Sequence, residues 1–219
     1  GWIPATWGFR KLGELSEIVA GVTLGANSEY QNSVVAPYIR VANVQDGYLD
    51  LSDIKTVRIP FRVFEYLKLR PGDVLMNEGG DFDKLGRGTV WQGEIEGCIH
   101  QNHVFRVRTA TASLNPFFLA YHSASLFGKK YFLVSSKQST NLASINSTQL
   151  KAYPIAVPPM EEQALIVERI KASVSKVNAL DEELEKLNMQ KAGLMHDLLT
   201  GKVRVQVEEP RADPAPANA

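Results

Sequence analysis

Between residues 161 and 200 the apolar positions return in a three-four alternation: Ile166, Ile170, Ser173, Val177, Leu180, Leu184, Leu187, Lys191, Leu194 and Leu198. Eight of these ten are apolar, and the stretch holds no proline and one glycine, Gly193. The spacing predicts one helix of about 40 residues, roughly 60 Å long at about 1.5 Å per residue. A seam this narrow, flanked by ERIK and DEELEK, is a coiled-coil pattern and requires a partner helix, from this chain or another. The alternative is a helix packed along its own domain. The start is marked by YPIAVPPMEEQ, where a Pro pair blocks a central strand and Glu161 and Glu162 suit the positive end of a helix dipole. Gly201 is expected to cap the end, and EEPRADPAPANA reads as a disordered tail.

Residues 1–157 show a different pattern, of short strand-like runs separated by turns: APYIRVANV, GDVLMN, GRGTVWQG, HVFRVRT and YPIAV. In HVFRVRT, Val104, Arg106 and Arg108 alternate with Phe105 and Val107, the pattern of a half-buried strand. Two helices are predicted, one from Phe61 to Leu69 and one from Pro116 to Phe127, the latter capped by Asn115 and ended by Gly128. The expected architecture is a mixed α/β (α+β) domain over 1–157, a long coiled-coil-forming helix over 158–200, and a tail over 201–219.

Composition changes this picture little. Of 219 residues, 44% are hydrophobic and 22% charged, ordinary values for a globular chain. No apolar run is long enough for a membrane span, the N-terminus lacks the apolar core of a signal peptide, and Cys98 is the single cysteine; these features favour the cytoplasm and no membrane partner. The chain begins with glycine, as a piece of something longer would. Net charge is zero, but residues 1–157 carry a surplus of +3 and residues 158–199 a balance of −3. So small a surplus points to a polyanion only if it clusters on one face.

Three stretches carry candidate chemistry. The stretch NEGGDFDKLGRGTVW, from Asn77, resembles an ion or phosphate loop, yet an EF-hand starting at Asp81 would have Leu85 and Gln92 where oxygen ligands belong, and no Gly-Lys-Ser/Thr occurs. It reads as a flexible charged loop. Cys98, His100 and His103 lie close together, but on a strand the third points away from the first two, and a fourth zinc ligand is lacking; Cys98 fits the core, and HQNH a surface or binding edge. No Gly-x-Ser-x-Gly nucleophile elbow is present. NPFF at 115–118 departs from the Asn-Pro-Pro-Tyr/Phe of adenine methyltransferases by Phe117, and reads as a capped helix start. No catalytic residue, metal or cofactor is expected.

The order of WGFRKLGELSEIVAG, PYIRVANVQDG, LRPGDVLMNEGG, HQNHVFRV, NLASINSTQLKAYPIAVPPMEEQALIVERI and LMHDLLTGKVRV resembles the specificity subunits of type I restriction-modification systems, over residues 2–207. The most specific part is the passage from YPIAVPP through EEQALIVERI to the leucine seam and LLTGK. The resemblance implies a non-catalytic reader of double-stranded DNA that directs methyltransferase (modification) subunits and a restriction subunit to their target. Family members carry two target-recognition domains, each followed by a long helix, and the helices pair antiparallel. Here one such unit is present, either a C-terminal half or a halved subunit that dimerises. The pairing face would comprise Ile166, Ile170, Val177, Leu180, Leu184, Leu187 and Leu194.

On that reading the Asn77 loop faces DNA, with Lys84 and Arg87 reaching phosphates or guanine edges. Gln101, Asn102 and His103 form a second candidate contact, because Gln and Asn can bond adenine bidentately. Lys137, Gln138, Thr140 and Asn141 form a third, and Arg40 a fourth. Two rivals stay open. One is a protein-interaction module using the coiled coil, with the front domain binding peptide or sugar. The other is an enzyme in which Glu78, Asp81 and His103 converge. Clustering of Lys84, Arg87, Lys129, Lys130 and Lys137 would favour DNA.

Overall fold

The computed structural model describes residues 3–25, 32–80, 85–138 and 143–205. In chain order the elements are β1 (Gly8–Lys11), α1 (Leu12–Leu15), β2 (Ser16–Ala20), β3 (Ser33–Ile39), β4 (Lys55–Pro60), α2 (Phe61–Leu67), β5 (Val74–Asn77), β6 (Gly79–Gly80), β7 (Gly88–Val90), β8 (Ile99–His100), β9 (Val104–Thr109), α3 (Pro116–Ala124), α4 (Leu126–Ser135), β10 (Lys137–Gln138), β11 (Ala143–Ser144), α5 (Ser147–Lys151), β12 (Pro154–Val157) and α6 (Met160–Leu199). This is the expected mixed α/β layout followed by one long helix. Among the described residues no helix is long and apolar enough to cross a membrane.

The centre is an antiparallel sheet in the order β2-β9-β5-β7. Alternation along its strands sends Val74, Met76, Phe105 and Val107 to one face, where they pack with Leu119, Phe132, Leu150 and Tyr153 from the helical side. Leu75 and Val104 go to the other face and pack with Ile39, Leu69, Trp91 and Cys98. With both faces covered, β9 is not the half-buried strand its letters predict. Arg106 is 1% exposed, donates to the Tyr66 carbonyl at 2.7 Å and lies 3.5 Å from Glu17. Arg108 donates two bonds, of 2.7 and 2.8 Å, to the buried carboxylate of Asp73, which also accepts from the Arg70 amide. A strand can carry two arginines through a covered sheet because each meets an acceptor there.

Asn115 caps α3 as expected, its Oδ1 accepting from the Phe117 and Phe118 amides, with Pro116 in the first position. The predicted stop at Gly128 is corrected. The break falls at Ser125, whose Oγ accepts from the Gly128 amide, and Gly128 sits inside the first turn of α4. A Cβ on Gly128 would lie 2.2 Å from the Ser123 carbonyl oxygen, so the glycine serves a close approach of two helices and is not a terminator.

The chain divides into two compact units, Gly1–Arg169 and Ile170–Ala219. The first reaches past the 157 expected, because the opening turns of α6 belong to its core. Gln163, fully buried, accepts from the Asn115 amide at 2.8 Å and donates to the carbonyls of Ser113 and Pro158, while Val167 joins the large apolar cluster and Ile166 packs against it. Ile166 is therefore engaged by its own domain, a correction to its place on the pairing face. From Val177 onward the seam is open: Val177, Leu180, Leu184, Leu187 and Leu194 are each more than half exposed. The helix ends at Leu199, followed by Gly201 at φ +72°. Of the tail, residues 206–219 lie outside the described residues.

Replacing Arg108 by Ala would leave Asp73 as a buried, unpaired carboxylate. The expected loss is about 3 kcal/mol of unfolding free energy in denaturant melts. A loss below about 1 kcal/mol would show that the pair contributes no more than a surface ion pair does.

Candidate nucleic-acid interface

The register of the central sheet determines what gathers at one of its ends. β5 and β9 pair Asn77 with Val104, and one residue further the Glu78 amide donates to the His103 carbonyl at 2.9 Å. The Glu78 carbonyl in turn accepts from the Ile145 amide at 2.8 Å. Gly79 and Gly80 then pair with β11, and β11 pairs with β10. A Cβ on Gly79 would lie 2.6 Å from the Ala143 carbonyl oxygen, so this ladder closes only around glycine. On the other side β3 and β8 run parallel, and the Gln101 amide donates to the Ile39 carbonyl, next to Arg40.

Segments far apart in the chain thereby surround one open cleft of about 810 Å³, lined among others by Arg40, Glu78, Gln101, His103, Lys137 and Gln138. Five of the residues expected from the sequence to touch DNA meet here: Arg40, Gln101, His103, Lys137 and Gln138. His103 Nδ1 lies 2.5 Å from Glu78 Oε2, with the imidazole more than half exposed and the carboxylate mostly covered. Arg40 turns its guanidinium onto Asp53, bonding its carbonyl at 2.9 Å and its carboxylate at 2.8 Å. The Gln138 amide nitrogen donates to the Leu133 carbonyl, whereas Lys137 and Gln138 are both exposed. Asn102 lies beside His103, its amide nitrogen 3.5 Å from Nε2.

Arg87 and Lys129 meet a common two-residue segment: Arg87 donates to Gln45 at 3.2 Å and Lys129 to Asp46 at 2.9 Å. Each of these two cations thus faces a polar or acidic partner.

Asn77 requires a correction. It is 1% exposed and donates to the Val44 carbonyl at 3.1 Å, so it anchors the 41–44 turn and is not available to a ligand. Nor is its stretch a free surface loop, since Gly79 and Gly80 are strand residues and Leu85 is buried. Lys84, Thr140 and Asn141 lie outside the described residues, as does Asp81 of the convergent trio considered for an enzyme. Glu78 and His103 of that trio do meet, and Glu78 is a lining residue that the DNA reading of the sequence passed over. The available signal was its place between a buried strand and a glycine pair.

The HQNH edge is divided by burial. His100 is fully buried and its Nδ1 donates to the Val104 carbonyl at 2.7 Å, closing the turn that presents Gln101, Asn102 and His103. Cys98 is buried, and desolvation pushes its thiol up to about 12, making it unreactive as a nucleophile. Among the described residues no group of three or more His, Cys, Asp or Glu is placed to hold a metal.

A model of the type I restriction modification DNA specificity domain matches residues 4–189. The chain belongs to that family. It is 27% identical over 202 residues to a chain of Methanocaldococcus jannaschii named as the MjaX specificity subunit of a type I restriction enzyme, covering 91% of this chain and 47% of that one. It is 22% identical over 179 residues to the EcoKI specificity subunit of Escherichia coli, covering 80% and 38% respectively. In three dimensions it resembles the HsdS subunit from Thermoanaerobacter tengcongensis with a TM-score of 0.67 at 19% identity, over 98% of this chain and 52% of that one. This specificity-domain chain thus spans about half the length of such relatives or less.

Burial lowers the His100 pKa to about 4, against an ordinary value near 6.5. The unfolded chain therefore binds more protons between those values, and stability present above pH 6.5 is lost progressively as the pH falls towards 4. Denaturant melts are expected to show about 2 kcal/mol less stability at pH 5 than at pH 7.5 from this one group. Equal stabilities at the two values would mean that the ring is not held neutral.

Proposed function

We propose that this chain is a non-catalytic, sequence-specific reader of double-stranded DNA within a type I restriction-modification system. The observation that carries the reading is the convergence of Arg40, Gln101, His103, Lys137 and Gln138 on one cleft, in a chain of the DNA specificity domain family. The parts suit a division of labour. Lys137, exposed at the rim, supplies charge to the phosphate backbone and fixes position. Gln101, held by a backbone bond to Ile39, presents an amide whose paired donor and acceptor match the major-groove edge of adenine. Arg40, braced by Asp53, can approach a phosphate or a guanine edge without losing its geometry. Arg87, and Lys84 and the 139–142 segment flanking this surface in the chain, extend the candidate contacts.

The open leucine seam from Ile170 to Leu198 supports the second half of the proposal. An apolar row that is more than half exposed from Val177 to Leu194, along a helix of 40 residues, is stabilised by burial against a second helix, contributed by another copy or by another half of a longer subunit. Two readers held at a fixed separation would read a two-part target. Methylation and cleavage would be carried out by methyltransferase and restriction subunits.

Lys137→Ala is expected to weaken binding to all duplexes alike and to lower the slope of log affinity against log salt by about one unit. Gln101→Ala should instead relax preference at one base pair, by about 1–3 kcal/mol. Selection from randomised duplexes, with the methyltransferase partner present, separates the two effects; recovery of no sequence by the unaltered chain would favour the interaction module.

Leu180→Lys together with Leu184→Lys places charge in the seam and should abolish helix pairing, seen as a fall in mass by light scattering. An unchanged mass would sink the pairing proposal.

A further inference from the structure

A carboxylate does not belong by default in a cleft for a polyanion, and Glu78 is unlike an incidental surface acid. Its amide donates to the His103 carbonyl and its carbonyl accepts from Ile145, so the backbone is held on both sides. The next residue, Gly79, is locked against Ala143. His103 Nδ1, at 2.5 Å from Oε2, fixes the side chain in turn, and the residue lines the same cleft as Gln101. A negative group held this firmly at a DNA surface repels phosphate oxygens and the N7 and O6 acceptors of guanine. What it can accept from is an exocyclic amino group.

We propose that Glu78 is a specificity-determining residue that accepts a hydrogen bond from the amino group of a cytosine, with His103 as its positioning residue. This rests on the DNA-reading function proposed above. Cytosine is favoured over adenine by the geometry of the pair. His103 engages Oε2, leaving Oε1 to make a single contact. Adenine sets the N7 acceptor beside its amino group, and that lone pair would face the carboxylate, whereas the major-groove edge of cytosine offers N4-H2 beside an apolar C5-H. Gln101, in the same cleft, has the amide that adenine requires, so the two side chains would read different bases.

The test is selection of randomised duplexes by the full chain with its methyltransferase partner, repeated for Glu78→Gln and His103→Asn, with melting curves to establish that each variant folds. Glu78→Gln preserves size and keeps an acceptor but adds a donor. It is expected to reduce discrimination for cytosine at one position by roughly five- to a hundredfold, leaving the other positions and the salt slope unchanged. His103→Asn should weaken preference at that same position. Two results overturn the proposal. One is an unaltered motif with folded Glu78→Gln. The other is a uniform loss over all sequences with the salt slope lowered by about one unit, which would make Glu78 a support for a phosphate-binding His103. If the unaltered chain enriches nothing, it is the DNA-reading function that fails.

Discussion

The pairing of Val74–Asn77 with Val104–Thr109 is the constraint on which the rest of the domain depends. Both strands are covered on both faces, so a slip of one residue would exchange Phe105 and Val107 with Val104 and Arg106 and put a guanidinium among the helices. Each end of the pair is also held by a side-chain contact. At one end Arg108 meets Asp73 at 2.7 and 2.8 Å; at the other His103 meets Glu78 at 2.5 Å. The first is a buried lock between neighbouring strands. The second opens onto the cleft, so the register that builds the core also sets the position of the candidate readers.

Buried polar side chains carry this order outward from the sheet. Asn77 holds the 41–44 turn, His100 closes the turn before Val104, and Gln163 ties the start of the long helix to the start of α3. Each of these side chains is buried and makes at least one bond to backbone, which offsets part of the cost of taking it out of water; among the described residues, Asn77 Oδ1 and His100 Nε2 are left without a partner. The cleft is consequently lined by side chains on fixed backbone.

The helix from Ile170 onward obeys a different logic. Its apolar residues find no cover within their own unit, and its polar faces are those of a solvated helix. A domain that satisfies its core internally is thus joined to an element that does not. The matched relatives have about twice the length of this chain.

The sequence by itself determined the elements whose signal is local. The three-four alternation marked the helix now seen at Met160–Leu199, Asn115 and Pro116 marked the start of α3, and the apolar runs marked β3, β5, β7, β9 and β12. It also named Arg40, Gln101, His103, Lys137 and Gln138 as polar candidates, and the family resemblance in its motifs agreed with the match over 4–189. Only the tertiary structure decided which polar letters are spent inside. Asn77 and Lys137 both read as candidate contacts, but one bonds a carbonyl 33 positions away in a buried turn and the other stands at the rim. Arg106 read as a solvent-facing residue because nothing nearby in the chain announces the Tyr66 carbonyl that receives it, 40 positions away. Helix periodicity and capping are settled within a few residues. Burial and convergence are settled by strand pairings between distant segments, and those pairings decide which side chains remain at the cleft.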